Sequence, residues 1–138
     1  MKRIKTVLAD SQRLFTEGLA SLLQKSKDPT FEIVNVVSTA SELQFFLAQR
    51  RADLLFLELN LPDEDGLAIL PEIRNLLPSL RICVLSSYGD YKFVKESLQK
   101  GADGFVTKKH DFKELMKCTE EIMLGNTFLA PGLQITPS

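Results

Sequence analysis

The 138-residue chain has no tryptophan, one histidine (His110) and two cysteines (Cys83 and Cys118). A lone histidine leaves no partners from which a Ser/His/Asp or Cys/His nucleophile can be assembled. The cysteines form neither a CxxC pair nor a metal spacing. They fall inside a predicted strand and a predicted helix, and buried, reduced thiols are expected. No segment approaches the roughly 20 apolar residues of a membrane span, and the basic start MKRIKTVLAD lacks an apolar stretch of signal-peptide length. A cytoplasmic protein without a membrane partner is expected. The net charge of −1 gives no strong field of either sign, so the chain by itself offers no nucleic-acid surface.

What is present is ordinary globular composition, 44% apolar and 25% charged, at a length that suits one domain. Short runs rich in β-branched residues occur at 4–9, 31–37, 54–59, 81–85 and 104–107, each about as long as a typical strand. Between them lie segments with helical spacing. The first carries Leu14, Leu19, Leu22 and Leu23, and the second opens at Ser38-Thr39. The third runs from Leu67 to Leu77 before Pro78, the fourth from Tyr91 to Lys100 before Gly101, and the fifth opens at His110-Asp111. Strand and helix thus alternate five times, which predicts an α/β fold: a doubly wound, five-stranded parallel sheet with right-handed crossovers. After Gly125 the pattern lapses. Residues 1–124 are read as the domain and 125–138 as a linker toward a missing C-terminal output domain.

In an open parallel sheet, functional groups gather beyond the carboxyl ends of the strands. Those positions hold Asp10 and Ser11 after the first strand, Glu58 after the third, Ser86 after the fourth and Lys108 after the fifth. Each alone has a structural explanation as a cap, turn or solvated residue. Together they form a site for a small anion with a hard cation. The third strand continues into an acid-rich loop, 53-DLLFLELNLPDEDG-66, where Asp63, Glu64 and Asp65 read as a polar turn rather than as extra ligands. His110, beside Asp111, reads as a surface or cap-adjacent residue. The turn Ala9-Asp10-Ser11-Gln12-Arg13 has neither the glycines nor the hydroxyl run that wraps a cofactor phosphate, which disfavours a flavin domain or an enzyme.

The ordered set of acid, acid with Asn-x-Pro and Asp-Gly, Ser, and 101-GADGFVTKK-109 resembles the receiver domain of two-component response regulators. The stretch 8-LADSQRLFTEGLASLL-23 is more specifically similar to LuxR/NarL-type transcriptional regulators. There a linker resembling Gly125-Asn-Thr-Phe-Leu-Ala-Pro131 leads to a helix-turn-helix domain. The resemblance implies a flavodoxin-like (βα)5 fold with strand order 2-1-3-4-5. It implies that Glu58 stands where an aspartate accepts a phosphoryl group from a histidine kinase. Asp10, Ser11 and Asn60 take the Mg²⁺ positions, Ser86 and Lys108 bind phosphoryl oxygens, and Phe105 takes the place of the aromatic switch residue.

Two of those positions depart from the pattern. Glu58 is one methylene longer than the aspartate, and in-line transfer tolerates misplacement poorly, with ~1 Å costing on the order of a hundredfold. Ser11 removes one metal-binding acid, so Mg²⁺ is expected to bind weakly or not at all. The expectation is an atypical, non-enzymatic receiver in which Glu58 mimics the phosphorylated state by reaching Lys108 and Ser86. Such a receiver controls homodimerisation, through the first or fourth helix with the fifth, and touches DNA only through the attached domain. The alternative is a Mg²⁺-dependent receiver that accepts phosphate at Glu58 from a histidine kinase.

Overall fold

A computed structural model of the chain describes residues 3–137. Five β–α units follow in order: β1 (Arg3–Ala9), α1 (Arg13–Lys25), β2 (Thr30–Val37), α2 (Ala40–Gln49), β3 (Leu54–Leu57), α3 (Gly66–Leu76), β4 (Arg81–Ser86), α4 (Tyr91–Gln99), β5 (Gly104–Thr107) and α5 (Phe112–Met123). A short strand, β6 (Phe128–Leu129), follows α5. The sheet is parallel throughout, in the order β2-β1-β3-β4-β5-β6.

The first five strands take the expected order, but the sheet has six strands rather than five. The added strand comes from residues read as linker. Phe128 N–H donates to the Asp103 carbonyl at 3.0 Å and Ala130 N–H to the Phe105 carbonyl at 3.0 Å, which satisfies the open edge of β5. A two-residue strand is too short to show any alternation in sequence. β3 is also shorter than read, ending at Leu57, because the chain turns sharply afterwards with Leu61 and Gly66 N–H groups both on the Leu59 carbonyl.

Alternation along the strands divides the core into two layers. Val7, Leu55, Leu57, Ile82, Val84 and Phe105 face α2, α3 and α4, where Leu43, Leu70 and Val94 cover them. Leu8, Leu54, Phe56, Cys83, Leu85 and Val106 face α1 and α5, meeting Leu19, Leu23, Leu115 and Ile122. The cysteines belong to this second layer as buried free thiols, Sγ to Sγ 3.5 Å apart. Burial, and then the neighbouring Cys118 thiol, push Cys83 well above the usual thiol range.

The helix ends follow local chemistry. Thr39, Asp65, Asp90 and Asp111 are N-caps whose side chains accept from backbone N–H groups of the first turn. Gly101 takes φ +121° just after α4, a conformation suited to glycine. Gly66 opens α3 against the backbone of the preceding loop: a Cβ there would lie 2.7 Å from Leu59 Cα and 3.0 Å from its carbonyl oxygen. Gly18, inside α1, has nothing within 4 Å of such a Cβ. Gly66→Ala should therefore destabilise the domain by about 2 kcal/mol. Gly18→Ala should stabilise it by about 0.5–1 kcal/mol through helix propensity. Urea unfolding of the two variants checks the opposite signs; equal effects would contradict this packing.

Candidate functional site

The site begins with strand register. β1 and β3 pair Leu8 with Phe56 and Ala9 with Leu57, and Glu58 N–H donates to the Ala9 carbonyl at 3.0 Å. Asp10 and Glu58 therefore leave the sheet side by side. Period-two alternation then sets which way each residue looks. Asp10 and Glu58 lie two residues beyond Leu8 and Phe56, and Lys108 lies two beyond Val106, so all three share the α1/α5 side of the sheet. Ser86 lies two beyond Val84 and shares the opposite side with Phe105.

Lys108 is the centre of the arrangement. Its ammonium lies 2.7 Å from Asp10 Oδ2 and 3.2 Å from Glu58 Oε1, and it donates to the Gln12 side-chain oxygen. Gln12 takes a hydrogen bond from the ammonium, and the two carboxylates make ion-pair contacts with it. The same nitrogen sits 4.5 Å above the centre of the Phe15 ring, a cation–π contact from α1. Glu58 is 4% exposed and Asp10 5% exposed, so these are buried acids that need partners.

Both carboxylates are also satisfied on their remaining sides. Asp10 Oδ1 accepts from Gln12 N–H at 2.8 Å. Glu58 Oε2 accepts from Asn60 N–H at 3.3 Å, while Oε1 accepts from the Ser87 N–H at 3.3 Å and the Ser87 hydroxyl at 3.2 Å. Glu58 thus meets Ser87, not the expected Ser86. The Ser86 hydroxyl, buried on the other side of the sheet, instead accepts from Tyr88 N–H at 3.2 Å. Phe105 is fully buried in the layer beneath α4. Ser11 is exposed and, among the described residues, makes no side-chain hydrogen bond. Gln12 and Ser87 are the site residues that sequence reasoning missed. Nothing in a Gln-Arg or Ser-Tyr dipeptide signals a contact made across the sheet.

A family model described as the response regulator receiver domain matches residues 6–120. The chain belongs to that family. Among curated relatives, a glycerol metabolism activator of Pseudomonas putida is 29% identical over 129 residues, covering 94% of this chain and 58% of that protein. The DNA-binding transcriptional activator DevR/DosR of Mycobacterium tuberculosis is 26% identical, covering 91% of this chain and 57% of that protein. The chain thus spans somewhat under three-fifths of the length of these two relatives. Among solved structures, a LuxR-family two-component response regulator from Aurantimonas sp. SI85-9A1 matches with a TM-score of 0.87 at 25% identity. That match covers 94% of this chain and 91% of the other.

Receivers of this kind are associated with Mg²⁺, and the donor set of this one is a poor fit for it. Every carboxylate oxygen of Asp10 and Glu58 already accepts a hydrogen bond or an ion pair, and Ser11 is neutral. Among the described residues, no cluster of three or more His, Cys, Asp or Glu side chains is arranged to hold a metal ion. Lys108 sits on Asp10 Oδ2 and Glu58 Oε1, so a hard cation at those two oxygens would compete with the ammonium.

The acid-rich loop of this receiver is more than a polar turn. Asp65 caps α3, as a turn residue should, while Asp63 reaches across to the start of α2. Its two oxygens accept from Ala40 N–H at 2.8 Å and Ser41 N–H at 3.0 Å, beside the Thr39–Glu42 capping box. Those amides, Ala40 first and then Ser41, hold the Asp63 carboxyl below the usual carboxylate range. A carboxyl lowered on folding adds stability above its unfolded value and loses it as pH falls through the folded one. Asp63→Ala should accordingly lower the urea midpoint at neutral pH, and the gap to wild type should narrow as the pH falls below the ordinary carboxyl value of 3.8. A gap independent of pH would show that the carboxylate charge is not what fastens this loop.

Proposed function

We propose that this is an atypical receiver whose crevice carries a standing negative charge, that of Glu58, and works without phosphorylation and without bound Mg²⁺. The observation that carries the reading is the engagement of Lys108 by Asp10, Glu58 and Gln12. Phosphoryl transfer depends mainly on positioned cations that meet the phosphoryl oxygens. Here the cation is already spent on a built-in carboxylate. Phe105 supports the same reading. It is buried inward and lacks a phenolic oxygen, so no polar tip draws it back toward solvent.

The output is self-association that acts on an attached DNA-binding domain. The matched relatives are considerably longer than this chain, and one is by name a DNA-binding transcriptional activator. In this reading, residues 125–138 lead toward such a domain. The contact surface is α1 with α5. Leu14 is 86% exposed and Leu22 46% exposed beside an apolar groove of about 320 Å³ floored by Leu85 and Val106. Exposed apolar side chains of this size around a groove mark an association surface. Phe15 lines that groove and also carries the Lys108 ammonium, which joins the crevice to the α1 surface.

Incubation with acetyl phosphate and Mg²⁺, followed by Phos-tag electrophoresis, should give no shifted band. In analytical ultracentrifugation, Glu58→Gln should weaken self-association. A stoichiometric shifted band that disappears in Glu58→Gln would contradict the proposal and favour the alternative, a Mg²⁺-dependent receiver that accepts phosphate at Glu58 from a histidine kinase.

A further inference from the structure

We propose that His110 is a latch that fastens the C-terminal segment to the loop carrying Lys108, so that docking of residues 128–133 is coupled to the charge state of the crevice. The latch stands on geometry alone; the coupling rests on the reading of Glu58 and Lys108 given above. Thr107 N–H, which is only a donor, points at His110 Nδ1 from 3.1 Å, and the Thr107 hydroxyl lies 2.8 Å from the same nitrogen. Nδ1 is therefore the acceptor, and the ring proton belongs on Nε2. Nε2 then donates to the Pro131 carbonyl at 2.8 Å. The tautomer is set on one side by the loop and read out on the other by the tail.

The segment so held is integrated into the domain. Phe128 and Leu129 pair with Gly104 and Phe105, Ala130 is buried, and Leu133 N–H donates to the Ala130 carbonyl at 3.2 Å. Leu133 then reaches the loop after β4: a Cβ built on Gly89 would lie 2.8 Å from Leu133 Cδ2 and 2.8 Å from Thr107 Cγ2. Thr107 is the shared piece. Its carbonyl accepts from His110 N–H at 3.1 Å and its hydroxyl from Lys109 N–H at 3.3 Å, which closes a tight turn over residues 107–110. From that turn Lys108 points into the crevice and His110 points at the tail. A change in what holds Lys108 alters the same turn that presents His110, and coupling of this kind is reciprocal.

Amide hydrogen exchange on the 138-residue chain tests both parts, read at Ala130 with the amide of Leu55, buried in the central strand β3, as an internal control for global opening. His110→Ala should speed Ala130 exchange by about tenfold or more while Leu55 is unchanged. His110→Gln, whose side-chain nitrogen takes the place of Nε2 as donor to Pro131, should stay within about threefold of wild type. Glu58→Gln should speed Ala130 exchange by about threefold or more through the turn. Wild-type exchange at Ala130 in His110→Ala would overturn the latch. A loosened Ala130 in His110→Ala with no change in Glu58→Gln would overturn the coupling, whichever way the acetyl phosphate experiment falls.

Discussion

The site depends on one largely enclosed cation shared between two carboxylates. Lys108 holds Asp10, Glu58 and Gln12 together at the carboxyl edge of the sheet and rests on Phe15. A buried ion pair adds little to stability compared with a well-packed apolar replacement, but removing one partner costs about 3–5 kcal/mol because the other is left stranded. The arrangement is therefore better understood as a constraint than as a reservoir of stability. It keeps two acids side by side and ties the turn after β5, which carries Lys108, to both of them.

That constraint reaches outward along three routes with different chemistry. Through Phe15 it meets the apolar α1 surface, where Leu14 and Leu22 stand exposed. Through Glu58 it meets Ser87 and Asn60, the first turns of the loops after β4 and β3. Through the turn at residues 107–110 it meets His110 and the C-terminal segment. Ser86 and Phe105 lie on the far side of the sheet and take no part in the ion cluster. In a receiver with a phosphorylated aspartate, the resemblance assigns the Ser86 and Phe105 positions to the switch. Here the buried Phe105 stands apart from the charge, in the layer beneath α4.

Much of this was legible from the residue string because it obeys short-range rules. The five β–α units follow from period-two and period-3.6 patterns, and Asp10, Glu58 and Lys108 stand at strand ends, where a parallel sheet must bring them together. The caps at Thr39 and Asp111 were equally local. What was hidden needed register or long-range contact. Ser86 was expected at Glu58, yet counting residues from Val84 puts it on the other face and leaves Ser87 to make the contact. Asp63 caps a helix that begins 23 residues earlier in the chain, and no local motif announces such a bond. β6 is two residues long between turn formers, so it read as linker until its hydrogen bonds to β5 were seen.

The most direct test of the central claim is a double-mutant cycle between Glu58 and Lys108. Urea unfolding would be compared for wild type, Glu58→Gln, Lys108→Met and the double variant. Two partners in one buried network should show a coupling energy of about 2 kcal/mol, with the double variant far less damaged than the sum of the single changes. A coupling within about 0.5 kcal/mol of zero would mean that the carboxylate and the ammonium do not hold one another. The account of Glu58 as a standing carboxylate held by the Lys108 ammonium would then be wrong.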